Sequence, residues 1–298
     1  MNICGREIKI EGRLLRVARL DAERSHFLDS PEEMIEGLRK CGVRIDLFTF
    51  LQRLPETSPK YGYPMEWDDL AVLPVSNFDN WWKCGIDSYA RNRARQAEKK
   101  GVVIREMPLE GPLVKGIWEI YNECPTRQGR SFPHYGKDLE TVHKEEATYL
   151  ESSFFIGAML GDELIGFVKL TADETGTQAN LVNILSKIKH RDKAPTNALI
   201  AQSVRACAAR GISHLVYQSF SYGKKQWDGI MKFKQVNGFR RVDLPRYYVP
   251  LTRIGSAAFH LGLHHKLSDR LPEPLIAKLR EFRAAWYNRK FHAVSEAS

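Results

Sequence analysis

The fold is decided by the stretch "SFFIGAMLGDELIGFVKLTA" (residues 153–172), which has the pattern of two apolar strands joined by a tight turn. The turn residues "GDE" (161–163) are typical of a short hairpin connection. Shortly after it, "TQANLVNIL" (177–185) predicts a third strand. Three strands in succession do not fit a strictly alternating strand–helix order, so we expect a mixed sheet with an internal hairpin.

Helices and strands flank this hairpin on both sides. Upstream, a strand and two helices are predicted at "VVIREMPL" (102–109), "GPLVKGIWEIYNEC" (111–124) and "KDLETVHKEEATYL" (137–150). Downstream, helices and strands alternate at "TNALIAQSVRACAARG" (196–211), "SHLVYQSF" (213–220), "WDGIMKFKQVNG" (227–238) and "FRRVDLPRYYVPL" (239–251). The resulting order β-α-α-β-β-β-α-β-α-β predicts the α/β class, as an α+β mixed sheet rather than a doubly wound parallel one.

Three portions follow from this pattern. Residues 1–100 form an N-terminal α/β portion, in which "NFDNWWKCGIDSYARNRARQAEKKG" (77–101) predicts one long helix ended by glycine. Residues 101–251 hold the mixed sheet, and residues 252–298 form a basic helical C-terminal segment with one apolar stripe. No internal repeat or low-complexity segment is present.

The composition is that of a soluble globular protein, with 43% hydrophobic and 27% charged residues. No apolar run reaches the length of a membrane span, and the first residues contain no signal-peptide core. The five cysteines are scattered without a C-x-x-C pair, so we expect neither a disulfide framework nor a metal site, and a cytoplasmic location. A net charge of +9 favours a polyanionic partner, although a solvated basic surface explains it equally well.

A basic cluster lies in a predicted strand-to-helix turn, "KHRDKAPTN" (189–197). Arg191 and Lys193 come just before the helix, and Thr196 or Asn197 would cap it. Cations beside the positive end of a helix repel it unless an anion joins them, so we expect a phosphate to bind here. The alternative is a capped helix beside solvated charges.

Two motifs and the element order from about 102 to 251 resemble the GNAT acyltransferase fold, in its Fem-type branch of FemAB-like peptidyltransferases and related acetyltransferase domains. The motifs are "YARNRARQAEKKGVVIRE" (89–106) and "GIMKFKQVNGFRRV" (229–242). GNAT enzymes usually carry a glycine-containing pyrophosphate loop at the central helix, whereas "HRDKAPTNA" (190–198) contains no glycine. Fem-type enzymes commonly lack that loop too, and some take their acyl group from aminoacyl-tRNA.

The resemblance implies an N-acyltransferase in which an amine of a small molecule or peptide attacks the acyl donor directly. The donor would be acyl-CoA or aminoacyl-tRNA, and the N-terminal portion would be a degenerate half of the same fold. Lys234 aligns with the motif lysine, and its ammonium would stabilise the oxyanion of the reaction. The alternative is a surface lysine, and Lys232 is the candidate if the register slips.

Further candidates have weaker signals. Tyr222 would donate a proton to the leaving group, or is an ordinary loop tyrosine, and His134 would be a general base, or an ordinary surface histidine. Candidate clamps for the acceptor or a phosphate are Arg91 and Arg95, which share a helix face, and Arg127 and Arg130 in the loop "TRQGRSFPHYGKD" (126–138). A solvated basic face is the alternative for each pair.

A different class of function also fits the charge: a non-catalytic RNA-binding protein on a degenerate acyltransferase scaffold. The environment of Lys234 distinguishes the two, because a binding module needs no cation at an acyl carbon. We do not expect membrane association, since the apolar stripe of the C-terminal segment is what any docked terminal helix shows.

Overall fold

The computed structural model describes residues 1–21, 23, 27–127, 130–221, 229–265, 278 and 282. Strands within these residues are β1 (Asn2–Ile3), β2 (Arg6–Glu11), β3 (Val17–Leu20), β4 (Leu47–Leu51), β5 (Met65–Pro74), β6 (Val102–Met107), β7 (Thr126–Arg127), β8 (Arg130–Ser131), β9 (Ser153–Leu160), β10 (Glu163–Ala172), β11 (Gln178–Ser186), β12 (His214–Ser219) and β13 (Arg240–Pro250). The α-helices are α1 (Pro31–Lys40), α2 (Phe78–Asn80), α3 (Ser88–Lys99), α4 (Gly111–Tyr121), α5 (Leu139–Glu146), α6 (Pro195–Ala209), α7 (Gly229–Val236) and α8 (Arg253–His260).

Eleven of these strands form one mixed sheet in the order β1-β2-β3-β4-β13-β5-β12-β11-β10-β9-β6. The predicted hairpin is present, with β9 and β10 antiparallel, and β11 continues antiparallel to β10. Parallel pairing occurs between β11 and β12 and between β3 and β4. The α/β class and the GNAT-like mixed sheet predicted from the sequence are therefore confirmed.

The sheet crosses the boundary that the sequence predicts at residue 100. Strand β5 of the N-terminal portion lies between β12 and β13, and β13 pairs with both β4 and β5. Strand pairing between segments far apart in the chain leaves no local signal in the sequence. The division into residues 1–100, 101–251 and 252–298 stays a prediction.

The prediction of a single long helix over residues 77–101 is wrong. A π-helical turn at Trp81–Gly85 follows α2, and Ile86 is extended at φ −94° and ψ 140°. Asp87 then caps α3, its carboxylate accepting from the Tyr89 backbone N–H at 2.7 Å. The helix is interrupted next to Trp81, whose side chain is buried and whose indole N–H donates to the Asn237 carbonyl at 3.2 Å.

Helices cover both faces of the central strands. On β9, Phe155 and Met159 pack with α4 and α5, whereas Ile156 and Ala158 pack with α3 and α6. Because alternate residues of a strand point to opposite faces, α4 and α5 define a front face and α3 and α6 a back face. No helix among the described residues is long and apolar enough to cross a membrane.

Candidate active site

A gap opens in the middle of the sheet. Strands β11 and β12 pair only over Gln178–Asn180 and His214–Val216, although β11 continues to Ser186. Among the described residues, the last six of β11 therefore have a strand neighbour only on the β10 side. The gap gives access to the sheet from both faces.

Backbone irregularities mark both edges of the gap. The β10–β11 register passes from Lys169↔Asn183 to Leu170↔Leu181, which leaves Val182 as an extra residue. On β12, Gln218 has a φ of 46°, in the left-handed region that non-glycine residues rarely adopt. Bulges and strained residues cluster at functional sites, which makes this gap the first place to look for one.

A cleft of about 630 Å³ opens at the gap on the back face, and we call it the arginine cleft. Its lining residues are Arg93, Arg127, Arg191, Tyr217, the end of β11 (184–186), the start of α6 (194–197) and the first part of α7 (229, 230, 233). Three guanidinium groups from three separate segments thus meet at the start of a helix.

The arginine cleft carries positive charge that the described residues do not neutralise fully. Arg127 donates to the Ser186 carbonyl at 2.9 Å and to Glu123 at 3.2 Å. Burial, together with the nearby Arg191, lowers the pKa of Arg127. The Arg191 side chain is exposed and forms no ion pair within the part of the chain that the structure describes. Such a cleft suits an anion.

The start of α6 adds its own positive potential to the arginine cleft. Its N-cap residue is Ala194, at φ 55°, and no side chain caps the helix. The prediction that Thr196 or Asn197 is the cap is therefore wrong. Thr196 lies 3.3 Å from the Ser186 hydroxyl, and Asn197 donates to the Asn237 side chain at 3.3 Å. Uncapped N–H groups of the first turn are the usual partners of a phosphate.

The repulsion predicted within the basic turn is mostly relieved inside the protein. Glu163 binds Lys189 at 2.6 Å and His190 at 3.1 Å. Despite the opposing effect of burial, Lys187, Lys189 and His190 lower the pKa of Glu163 to about 2. Lys193 lies 3.5 Å from Asp192 and does not line the arginine cleft. Of the predicted phosphate ligands, Arg191, Thr196 and Asn197 do line it.

A second cleft, of about 490 Å³, opens at the same gap on the front face, and we call it the front cleft. It is lined by Lys9, Asp21, Glu23, Phe27, Leu51, Asp68, Leu70, residues 180–183, Val216, Gln218, Ser219 and Arg246. Its charges are paired internally, Lys9 with Asp21 and Arg246 with Asp68, each at 2.7 Å. Glu23 is paired with the buried Lys169.

Lys234 contacts one lining residue of each cleft. It is 0% exposed, which excludes the surface-lysine interpretation, whereas Lys232 is exposed. Its ammonium donates to the Ser219 carbonyl at 2.5 Å and lies 4.5 Å from the centre of the Tyr217 ring. Tyr217 lines the arginine cleft and Ser219 lines the front cleft. The Lys234 side chain itself lines neither cleft and lies behind these two lining residues.

Glu146, on the front face, is a candidate that the sequence reasoning missed. It is 2% exposed, and its Oε1 accepts from the Tyr121 hydroxyl at 2.6 Å and from the Asn183 amide at 3.0 Å. Burial raises the pKa of Glu146, and its Oε2 has no hydrogen-bond partner among the described residues. Asn183 lines the front cleft and Glu146 does not, so Glu146 orients the Asn183 side chain without lining the cleft itself.

Other predicted residues lie elsewhere. The His134 ring packs on Tyr121, with ring centres 4.3 Å apart, and lines neither cleft. Arg91 donates to the Lys83 carbonyl at 3.4 Å, and Arg95 lies over the Trp82 ring at 5.6 Å.

Arg127 belongs to the arginine cleft, while Arg130 is exposed and lines neither cleft. Tyr222 lies outside the described residues.

Arg93, which is not among the residues predicted from the sequence, is the α3 arginine of the cleft. Its guanidinium donates to the Arg191 carbonyl at 3.2 Å. The signal was available, since the buried alanines Ala90, Ala94 and Ala97 mark the inner face of α3. Arg93 is three residues after Ala90 and four before Ala97, and therefore flanks that face.

No protein-family model and no curated protein matches the chain. Among solved structures it is similar to the C-terminal domain (DUF2156) of a protein assigned as a lysylphosphatidylglycerol synthetase from Agrobacterium fabrum, with 14% identity, a TM-score of 0.56, and 85% and 82% of the two chains covered. It is similar to L-PGS from Bacillus licheniformis, with 11% identity, a TM-score of 0.55, and coverage of 85% and 83%. FemX has 13% identity, a TM-score of 0.50, and coverage of 82% and 73%. At such identities the similarity establishes a shared fold.

Proposed function

We propose that the chain is an acyltransferase whose donor binds in the arginine cleft and whose acceptor binds in the front cleft. The observation that carries this proposal is that the two clefts lie on opposite faces of one gap, and that the buried ammonium of Lys234 contacts one lining residue of each, Tyr217 and Ser219. A reaction between two substrates needs them to approach from different sides toward one reacting atom. The gap between β11 and β12 has that geometry.

The donor is a phosphate-bearing molecule. Arg93, Arg127 and Arg191 converge at an uncapped helix start, where a phosphate would bind charge and N–H groups together. Of the two donors that the family resemblance implies, we favour aminoacyl-tRNA over acyl-CoA. The turn before α6 contains Arg191 and no glycine, and the net charge is +9.

The chemistry is a direct attack. The nitrogen lone pair of an amine in the front cleft forms a bond to the acyl carbon, and the ester bond to the tRNA ribose oxygen, or the thioester bond to CoA, breaks. Lys234 stabilises the negative charge on the carbonyl oxygen between these events. The amine gives up its proton to water in the cleft, and the leaving oxygen or sulfur receives one, for which Tyr222 stays the predicted donor.

The shared fold supports this assignment. A lysylphosphatidylglycerol synthetase, by its name, forms a product with a lysyl group, and the chain covers 82% and 83% of two structures described in those terms. FemX shares the Fem name of the branch that the sequence motifs resemble.

The test is transfer of a labelled acyl group. The protein is incubated with radiolabelled aminoacyl-tRNA, or with labelled acetyl-CoA, and an extract of small amines and peptides, and label is counted in the amide products. We expect transfer from aminoacyl-tRNA, its loss in Lys234→Met, and wild-type transfer in Lys232→Met, which changes an exposed lysine of the same helix. Transfer from acetyl-CoA alone would support acyl transfer as the reaction, but it would mean that the donor is acyl-CoA and not aminoacyl-tRNA.

The burial of Lys234 also argues against a non-catalytic RNA-binding protein. Burying a lysine ammonium costs free energy, and RNA binding from the surface gains nothing from it. That alternative predicts tight binding of uncharged tRNA, no transfer from either donor, and unchanged RNA affinity in Lys234→Met.

A further inference from the structure

Two adjacent histidines that follow α8 meet a carboxylate from the sheet. The Nε2 atoms of His264 and His265 each lie 3.1 Å from Oε1 of Glu66. All three ligand atoms lie within 4.8 Å of one another. Glu66 belongs to β5, so the cluster joins the sheet to the segment after the last described helix.

We propose that Glu66, His264 and His265 bind a divalent transition-metal ion of the zinc type, leaving at least one coordination position open. Two imidazole nitrogens and one carboxylate oxygen are a common donor set for Zn²⁺. Bonds near 2.1 Å at tetrahedral angles place ligand atoms about 3.4 Å apart. The two 3.1 Å separations in this cluster are already close to that value.

The site is held in place before any metal binds. The His264 side chain is 2% exposed, and its ring is stacked on Phe259 with centres 4.9 Å apart and lies 4.6 Å from the Tyr248 ring. Glu66 is fixed by the pairing of β5 with β13, opposite Arg246. Ligands on packed elements lose little freedom on binding, which favours affinity.

The bound ion would tie the segment after α8 to the edge of the front cleft. Glu66 is two residues from Asp68 on the same face of β5, and Asp68 pairs with Arg246, which lines that cleft. Since none of the three ligands lines either cleft, the site is separate from the proposed reaction.

The experiment is calorimetric titration of Zn²⁺ into full-length protein that has been stripped with a chelator and dialysed. We expect one tight site in the wild type and at least about a hundredfold weaker binding in His265→Ala. The matched control is His260→Ala, because His260 lies in α8 outside the Glu66 cluster, with its ring near the Ser256 carbonyl, at 2.8 Å, and the Phe259 ring. That variant should bind Zn²⁺ as the wild type does.

Cobalt separates this site from the free cysteines. Co²⁺ at the proposed site should give visible d–d bands without the near-ultraviolet charge-transfer band of thiolate ligands. A melting temperature higher by about 5 °C at hundredfold saturation should accompany binding in the wild type and in His260→Ala.

Absence of stoichiometric binding in the wild type, thiolate bands with Co²⁺, or unchanged affinity in His265→Ala would each overturn the proposal. If His265→Ala does not fold, Glu66→Gln takes its place, since it keeps the shape of the ligand and removes its charge. Unchanged affinity in that variant would overturn the proposal equally.

Discussion

The arginine cleft and the front cleft lie on opposite faces of one gap, yet they handle charge in opposite ways. In the front cleft each charged lining group has a partner of opposite sign, such as Asp68 with Arg246 at 2.7 Å. In the arginine cleft, Arg127 has an ion pair with Glu123 at 3.2 Å, whereas Arg191 has none among the described residues and lies close enough to disfavour the charge of Arg127.

This difference indicates which charge the ligand of each cleft carries. A pocket with internally paired charges binds a ligand through shape and hydrogen bonds, and its ligand need not carry a compensating charge. A pocket that holds a cation without an ionic partner is stabilised when its ligand brings negative charge. This is why we propose that the donor, which carries phosphate, binds in the arginine cleft and the acceptor in the front cleft.

The largest expected effect is at the junction of the two clefts. Lys234→Met keeps most of the side-chain volume and removes the charge, so we expect turnover to fall at least about a hundredfold, near 3 kcal/mol, as for the loss of one oxyanion-hole donor. Donor and acceptor affinities should stay within about threefold of wild type. Equal losses in donor binding and turnover would make Lys234 part of the donor site instead.

The next effect separates the arginine cleft from the rest of the basic turn. Arg191→Ala should weaken donor binding about tenfold and, for a tRNA donor, lower the salt slope by about one, because one phosphate contact is lost. Lys193→Ala, which changes a lysine outside the cleft, should change neither. Donor binding and its salt dependence are measured by fluorescence titration, and similar losses in both variants would point to a diffuse basic surface.

A smaller effect tests the front cleft alone. Asn183→Ala removes a lining side chain that donates to Glu146 at 3.0 Å, and we expect the acceptor KM to rise about fivefold, the value of roughly one hydrogen bond. The donor KM should not change. Steady-state kinetics with each substrate varied in turn decides this, and a rise in both constants would mean that the two clefts are not separate sites.

The smallest effect concerns stability. Burial raises the pKa of Glu146 in the fold. At pH values between the unfolded and the folded pKa, the native state therefore holds a proton that the unfolded chain has lost. The free energy of unfolding falls as pH rises from about 4.5 through the folded pKa. Glu146→Gln should remove this dependence, which we expect to amount to about 1 kcal/mol or less between pH 5 and pH 8.

Urea denaturation at pH 5 and at pH 8 measures this pH dependence of the free energy of unfolding, and Glu145→Gln, which changes an exposed neighbour, is the control. An unchanged pH dependence in Glu146→Gln would show that the buried carboxyl does not titrate in this range.

Much of the fold was readable from the sequence because its signals are local. The hairpin of β9 and β10 follows from two apolar runs around Gly161, and α6 follows from its length and composition. The insertion of β5 between β12 and β13 was not readable, because it depends on pairing between segments more than 100 residues apart. The break before α3 had a local signal, the capping Asp87, within a pattern otherwise typical of a helix.

The candidate site was predicted only in part for the same reason. Lys234 was identified from a motif, but its burial depends on Ser219 and Tyr217, which reach it through the tertiary fold. The grouping of Arg93 with Arg127 and Arg191 likewise joins three distant segments. Glu146 has no sequence signal of its own, since an acidic residue in "HKEEA" is usually exposed.

The most direct test of the account is the structure of the protein with a non-hydrolysable aminoacyl-tRNA analogue, or with its acylated 3′ end alone. We predict that phosphates lie against Arg93, Arg127 and Arg191, and that the acyl carbonyl oxygen lies within hydrogen-bond distance of the Lys234 ammonium. An analogue whose phosphates lie in the front cleft, or whose acyl group lies away from the gap between β11 and β12, would contradict the account.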